Sequence, residues 1–490
     1  MPESLRIVLE FLVYGFVLLL AALSLSILVF YIQDRLQTKH AVRHNFPVIG
    51  RLRYLFESFG EFFRQYFIAL DREEMPFNRA QRSWVYRAAK NLDNTAAFGS
   101  TVDLRLPGTI YFTNSLYPLL DAETSVAPIT IGPLAAKPYT TASFFHISAM
   151  SYGAISVPAI QALANGARQA NIWLNTGEGG LTEYHLAANC DLIFQIGTAK
   201  FGVRDSQGQL SEKRLRKVAS HASVKMIEIK LSQGAKPGKG GILPSEKVTE
   251  EIAAIRGIEV GQSAISPNRF SEISSSDELL DFIERVRTIS GRPTGIKVCI
   301  GNYQEIEQLF TAILNRGESC APDFITIDSG DGGTGAAPLS LIDNMGAPIE
   351  ESLPLVVDLL NRFKLRDRIK VIASGKLLNP VDIAWALSAG ADFVNSARGF
   401  MFSLGCIQAM RCNKNTCPTG ITTHDKRLQT GLDPIDKASR VGHYALNMHK
   451  EVNIIARSCG VSDPRLLKRE HMRFITDNGM AVNYTELYPG

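Results

Sequence analysis

From about residue 143 the chain settles into a regular alternation of short apolar runs and longer stretches with helical spacing. Eight apolar runs stand out: Phe144–Met150, Asn171–Leu174, Asp191–Ile196, Val224–Lys230, Thr294–Ile300, Asp323–Asp328, Ile369–Ser374 and Asp392–Asn395. Helical stretches such as Val157–Ala170, Ser276–Ile289, Glu305–Asn315, Leu353–Phe363 and Pro380–Ser388 follow most of them. Strand followed by helix, repeated, predicts an α/β fold with a parallel sheet. Eight such units over about 260 residues predict a TIM (β/α)8 barrel. An open doubly wound sheet is the alternative, but no Gly-x-Gly-x-x-Gly follows the first strand.

The chain ahead of the barrel has a different pattern. The 22 residues from Phe11 to Ile32 carry no charge. As a helix they would extend about 33 Å, enough to cross a bilayer core. A cleaved signal usually has a shorter apolar core, and this run continues past the small residues Ala21, Ala22, Ser24 and Ser26. Residues 1–34 are therefore expected to be a single-pass membrane anchor, with the transmembrane helix at about 11–32. Arg35, Lys39, Arg43, Arg51 and Arg53 follow the span and only Arg6 precedes it, which predicts that the rest of the chain is cytoplasmic. Residues 35–140 read as an N-terminal extension packed on the barrel. It includes a helix with apolar residues at helical spacing from Tyr54 to Phe67, a second helix from Arg82 to Lys90 and a turn at Phe98–Thr101. The aromatics of this extension are expected to be core. The barrel should occupy 141–425, with a helical extension at 426–490 that is mostly helix from Asp436 to Ala456.

Composition narrows the function. A net charge of +4 over 490 residues gives no electrostatic footprint for nucleic acid. Four of the seven cysteines (Cys190, Cys299, Cys320 and Cys459) are scattered, which argues against a secreted disulfide framework.

A barrel places its chemistry at the C-terminal ends of its strands, and here those ends are polar. Period-two alternation turns Glu228 and Lys230 inward, with Ile227 and Ile229 toward the helices. The same argument turns Gln195, Lys297, Thr326, Asp328 and Asn395 inward. Two inward lysines on neighbouring strands suggest a site for an anion or for developing negative charge. Glycine-rich segments follow four strands: Asn175–Gly180, Ser329–Gly335, Ser374–Lys376 and Ser396–Gly399. The last two fall where barrels commonly bind a phosphate.

The remaining cysteines form the stretch Gly405-Cys406-Ile-Gln-Ala-Met-Arg-Cys412-Asn-Lys-Asn-Thr-Cys417-Pro418. A run this dense, closed by Cys-Pro, points to an iron–sulfur cluster or zinc. Three thiolates are one short of a full set for zinc or a four-iron cube. They match a cluster with three iron corners.

Five segments taken together resemble the FMN-binding synthase domain of glutamate synthase: Ala149–Gly153, Asn175–Gly180, Gln233–Gly241, Asp331–Gly335 and Cys406…Cys412…Cys417-Pro418. The resemblance runs from about residue 100 to 460, and is strongest to the short, stand-alone members, some with an N-terminal membrane segment. It implies FMN at the mouth of the barrel and a [3Fe-4S] cluster on Cys406, Cys412 and Cys417. The implied reaction is the reductive amination of 2-oxoglutarate with ammonia to L-glutamate. Met150, Ser151 and Asn175 would border the flavin, Gln195 would also bind the cofactor, and Lys297 would approach its ring as a catalytic residue. Gly375, Ala397 and Arg398 would hold its phosphate, and Ser374 would also bind the cofactor. Lys230 and Glu228 would serve the substrate and the chemistry, and Asp331, Gly332 and Gly333 would line the substrate side.

The chain departs from the large enzymes in several ways. It begins Met1-Pro2-Glu3 and has no cysteine before Cys190, so no glutaminase activity is expected. The family's β-helical C-terminal domain is not expected here. Ser266–Ser271 stands where large enzymes often read Pro-Pro-Pro-His-His-Asp. No dinucleotide fingerprint is present, so electrons would come from an external donor, a ferredoxin-like protein or a reductase subunit. Two other readings keep the cofactors: an amino-acid or 2-oxo-acid oxidoreductase exchanging electrons with a membrane partner, and a non-catalytic electron-transfer subunit. A hydroxyacid oxidase would share the barrel but leave the cysteine triplet unexplained.

Overall fold

Strand periodicity translates directly into a closed barrel. The computed structural model describes residues 2–489. Eight parallel strands pair in chain order: β1 (Phe145–Ile147), β2 (Leu174–Asn175), β3 (Leu192–Ile196), β4 (Val224–Lys230), β5 (Thr294–Val298), β6 (Phe324–Asp328), β7 (Lys370–Ser374) and β8 (Phe393–Ser396), with β8 closing back onto β1. These are the eight expected strands, trimmed or shifted by up to three residues. The helices Val157–Ala170 and Pro380–Ser388 match the sequence reading, and Ser276–Ser290, Tyr303–Arg316 and Ile349–Arg362 extend it slightly.

Alternation along the strands sorts the interior by height. Trp173, Ile193, Met226, Phe324, Ile372 and Phe393 form one apolar layer, together with Ile131 and Tyr139. The last two come from a hairpin, Ile129–Ile131 with Tyr139–Thr141, that closes the N-terminal end of the barrel. Tyr139 Oη donates to Asp191 Oδ2 at 2.8 Å, fixing the hairpin to the start of β3. Gly295 belongs to this layer too. A Cβ there would fall 2.5 Å from the Phe324 ring, so glycine makes room for the aromatic. Two residues further along each strand the interior turns polar.

Outside the barrel, the helix Pro434–Ser458 packs on Val157–Ala170. They meet at Gly166, where a Cβ would lie 2.4 Å from Val441 Cγ1. The C-terminal segment is not helical throughout, as the sequence had suggested. Met472–Ile475 pairs antiparallel with both Ile110–Phe112 and Ala481–Asn483, making a small three-stranded sheet. Strands of three and four residues are too short to show a period.

The chain divides into two compact units, Met1–Ala80 and Gln81–Gly490, so the boundary falls inside the stretch read as one extension. The first unit consists of α1 (Glu3–Leu36), α2 (Ala41–Asn45) and α3 (Ile49–Phe63), followed by a π-helical turn, Arg64–Ile68. The aromatics of α3 were expected to be core. They are exposed instead, Phe56 by 67% and Phe67 in the following turn by 80%. Helical periodicity shows that one face is apolar but not what covers it.

Candidate active site

The middle of the barrel interior is organised by one buried carboxylate. Glu228, on β4, is fully buried. Its Oε1 accepts hydrogen bonds from Asn175 Nδ2 (2.8 Å) and Gln195 Nε2 (2.6 Å), and its Oε2 accepts one from Thr326 Oγ1 (2.6 Å). The donors come from β2, β3 and β6. Asn175 Oδ1 in turn accepts from the Gly177 N–H at 3.0 Å, tying this layer to the first glycine loop. Asn395, on β8, accepts through Oδ1 from Trp173 Nε1 (3.1 Å). Its Nδ2 is buried and finds no partner among the described residues, leaving a donor free for a bound group or water.

Above this layer the lysines meet carboxylates. Lys230 Nζ lies 2.8 Å from Glu178 Oε1, and Lys297 Nζ lies 3.4 Å from Asp328 Oδ1. Burial alone would raise the Glu178 carboxyl, but the Lys230 ammonium holds it below the usual carboxylate range. Asp328 has further partners: its Oδ1 accepts from Ser374 Oγ (2.7 Å) and its Oδ2 from the Gly234 N–H (2.8 Å). Lys236, in the Gln233–Gly241 loop, is also buried. Desolvation, with Lys230 nearby, brings its ammonium down to about 8.

The glycine loops close over one another at this end. A Cβ on Gly177 would strike Ser151 N at 2.5 Å, so the loop after β2 lies against Met150 and Ser151 after β1. Gly375, with φ of +116°, packs on Ser329, and Gly333 packs on the Arg398 side chain. Lys376 Nζ reaches Asp331 Oδ2 at 2.6 Å. Met150, Ser151, Asp331, Gly332, Gly333, Ser374, Gly375 and Ala397 thus fall on strand ends or the loops just beyond them, and Arg398 opens the helix that follows β8, while Asn175, Gln195 and Glu228 share the buried polar layer.

The cysteine stretch follows the short helix Arg398–Ser403. Lys247 holds it to the mouth. This lysine is buried, and its Nζ donates to the carbonyls of Cys412 (2.7 Å), Thr422 (2.6 Å) and Ala154 (3.2 Å). Ala154 directly follows the Met150–Gly153 loop, so one ammonium links the loop after β1 to the cysteine segment. Tyr86 Oη donates to the Cys406 carbonyl at 2.6 Å. Burial pushes the Cys406 thiol up to about 12 and raises Cys412. Cys417 is lowered despite its burial, because the hydroxyls of Thr419 and Thr422 face it. Among the described residues no group of three His, Cys, Asp or Glu side chains converges tightly enough to hold a metal ion. The donor set, three thiols on one loop, has the soft chemistry that iron–sulfur clusters take.

Sequence reasoning missed Glu178, Lys236 and Lys247, and gave Asp328 no role. Glu178 and Lys236 lay inside motifs already singled out. Lys247 carried no signal, since only the folded chain brings three carbonyls to it. His146 and His185 are structural. His146 stacks on Trp173 with ring centroids 3.3 Å apart and accepts its backbone N–H, and His185 is paired with Thr182.

A family model described as the conserved region in glutamate synthase matches residues 110–462. The chain belongs to the glutamate synthase family. A relative described as a glutamate synthase large subunit-like protein, YerD of Bacillus subtilis, is 39% identical over 93% of this chain and 94% of its own length. The archaeal glutamate synthase [NADPH] of Methanocaldococcus jannaschii is 33% identical over 70% of this chain and 63% of its own. The archaeal-type enzyme of Dehalococcoides mccartyi is 32% identical, over 66% and 62%. This family member thus spans less than two thirds of those two relatives. Among solved structures, a mandelate oxidase matches at 15% identity and a TM-score of 0.49, covering 80% of this chain and 98% of its own.

The Lys230–Glu178 pair gives a direct test of the electrostatics in this family member. Lys230→Met should destabilise the protein by about 1–3 kcal/mol at neutral pH, because it takes the hydrogen-bonded ammonium away from a partly buried carboxylate. Glu178 has a depressed carboxyl in the fold, so the pair's contribution is present above the ordinary carboxylate range and is lost as pH falls through the folded value. The gap between variant and parent in denaturation midpoints should therefore close on acidification.

Proposed function

We propose that the protein is an FMN-dependent oxidoreductase that converts 2-oxoglutarate and ammonia to L-glutamate. The observation that carries this reading is a mouth lined by Lys230, Lys236, Lys297 and Arg398 in a chain matching the conserved glutamate synthase region. Cationic groups there suit a phosphate and a dicarboxylate. Ser374, Gly375, Ala397 and Arg398 would hold the FMN phosphate. Met150, Ser151, Asn175, Gln195 and Lys297 would border the ring, with Asn395 Nδ2 as a further donor. When bound, FMN supplies hydride transfer.

The chain's own residues would orient the reactants. Lys230 and Lys236 would balance the substrate carboxylates, while Glu178 keeps Lys230 in place. Glu228 acts through Asn175, Gln195 and Thr326, since both its oxygens are already occupied. Asp331, Gly332 and Gly333 would line the substrate side. Cys406, Cys412 and Cys417 would hold a [3Fe-4S] cluster, through which an external ferredoxin-like or reductase partner would deliver electrons. Lys247 keeps that segment against the loop after β1. In this reading α1 is a single-pass anchor and the barrel is cytoplasmic.

One observation favours a second reading with the same cofactors and a different 2-oxo acid. Ser266 and Pro267, in the segment that departs from the large enzymes, lie directly on Gly240, and Ser266 also approaches Gly241, whose other neighbour is Glu178. A changed sequence at this point can change which side chain the substrate carries.

Turnover separates the two. Protein reduced anaerobically should be reoxidised by 2-oxoglutarate plus ammonia, with glutamate as product. Reoxidation by a different 2-oxo acid only would overturn the first reading in favour of the second. For the cluster, Cys412→Ser should lose the iron–sulfur absorbance while FMN content stays within about twofold of the parent. A normal cluster signal in that variant would remove Cys412 from the ligand set.

A further inference from the structure

The apolar stripe of α3 is too regular to be incidental. Ile49, Leu52, Leu55, Phe56, Phe59, Phe62 and Phe63 recur at three- and four-residue spacing and are all exposed. Tyr66, Phe67 and Ile68 continue it through the π-helical turn. The opposite face carries Arg53, Glu57 and Arg64. Contiguous exposed aromatics of this extent mark an interaction surface.

The start of α3 is pinned to the end of α1. Asp34, in the last turn of α1, is fully buried. Its Oδ1 lies 2.8 Å from Arg43, its Oδ2 lies 2.8 Å from Arg51 Nε, and the Val48 N–H donates to Oδ2 at 3.0 Å. Arg51 also stacks over the Phe30 ring at 4.2 Å and donates to Gln33 Oε1 at 3.1 Å. α2 packs so closely on the first turn of α3 that a Cβ on Gly50 would meet the Val42 carbonyl at 2.8 Å. The first turn of α3 is thus held beside the point where the uncharged run of α1 ends. The segment is basic: from Arg35 to Arg72 there are seven Lys and Arg against three Asp and Glu.

We propose that α3 and its π-helical turn are an interfacial helix, lying with their aromatic stripe in the headgroup region of an anionic bilayer. The proposal rests on reading α1 as the membrane anchor. Three features select lipid as the occupant: continuity with the apolar run of α1, a basic excess that matches anionic headgroups, and a charged face opposite the stripe. The Asp34–Arg43–Arg51 cluster then sits at the level where the chain leaves the hydrocarbon and turns along the surface.

The test uses full-length protein in vesicles of phosphatidylcholine and phosphatidylglycerol containing brominated lipids. Single substitutions Phe59→Trp, Glu57→Trp and Leu20→Trp are compared with the parent, whose own tryptophans supply the background. Leu20→Trp should be quenched by lipids brominated deep in the chain. Phe59→Trp should be blue-shifted and quenched most by lipids brominated near the headgroup, and Glu57→Trp should show neither change. If Leu20→Trp is quenched and Phe59→Trp is not, the anchor stands and the interfacial helix is wrong. A blue shift at residue 59 without lipid quenching overturns it in favour of a protein partner or a second copy. If Leu20→Trp is unquenched, the anchor reading fails, and the proposal with it.

Discussion

A carboxylate sealed inside a barrel is the constraint on which the rest of the site depends. Stripping an ion of water costs several kcal/mol unless hydrogen bonds replace the solvent. Glu228 meets that demand with three side-chain donors from three other strands. Asn175, Gln195 and Thr326 therefore have little freedom of choice or orientation. The apolar layer of Trp173, Met226, Phe324 and Phe393 beneath them excludes water from below, so the polar layer faces only the mouth.

From there the charges are arranged in answering pairs. Lys230 takes Glu178 and Lys297 takes Asp328. Asp328 also engages Ser374 and the loop at Gly234. Each of these lysines thus has an internal counter-charge. In the proposed reading, the carboxylates of a substrate would take the place of these internal ones. The same economy appears in Lys247, whose ammonium replaces water with three carbonyls and so joins the cysteine stretch to the loop after β1.

Much of this was legible in the chain because strands have a strict period of two. Short apolar runs between helical stretches located all eight strands, and the period of two turned Glu228, Lys230, Lys297, Thr326 and Asn395 inward. It could not say which partner each inward residue would find, because those partners are set by register between strands distant in sequence. Glu178 and Lys236 sat in visible motifs without visible roles, and Lys247 had no local signal at all. The aromatics of α3 were misjudged for a related reason: an amphipathic helix reads alike whether it faces a core or a lipid surface. The paired strands at Ile110–Phe112 and Met472–Ile475 were too short to register a pattern. The cysteine spacing was the clearest signal of chemistry, yet spacing does not say how the loop folds. Left-handed backbone at Gln408, Met410 and Asn415 shapes that segment, and nothing in the residue types announced it.

The central claim is that Glu228 positions the polar layer for a flavin rather than reacting itself. FMN affinity of Glu228→Gln, measured by flavin release and rebinding, tests it most directly. The variant keeps the shape but turns one accepting oxygen into a donor facing donors. The account predicts FMN binding weaker by about tenfold or more, with the barrel still folded by circular dichroism. Unchanged FMN affinity in a folded Glu228→Gln protein would contradict it.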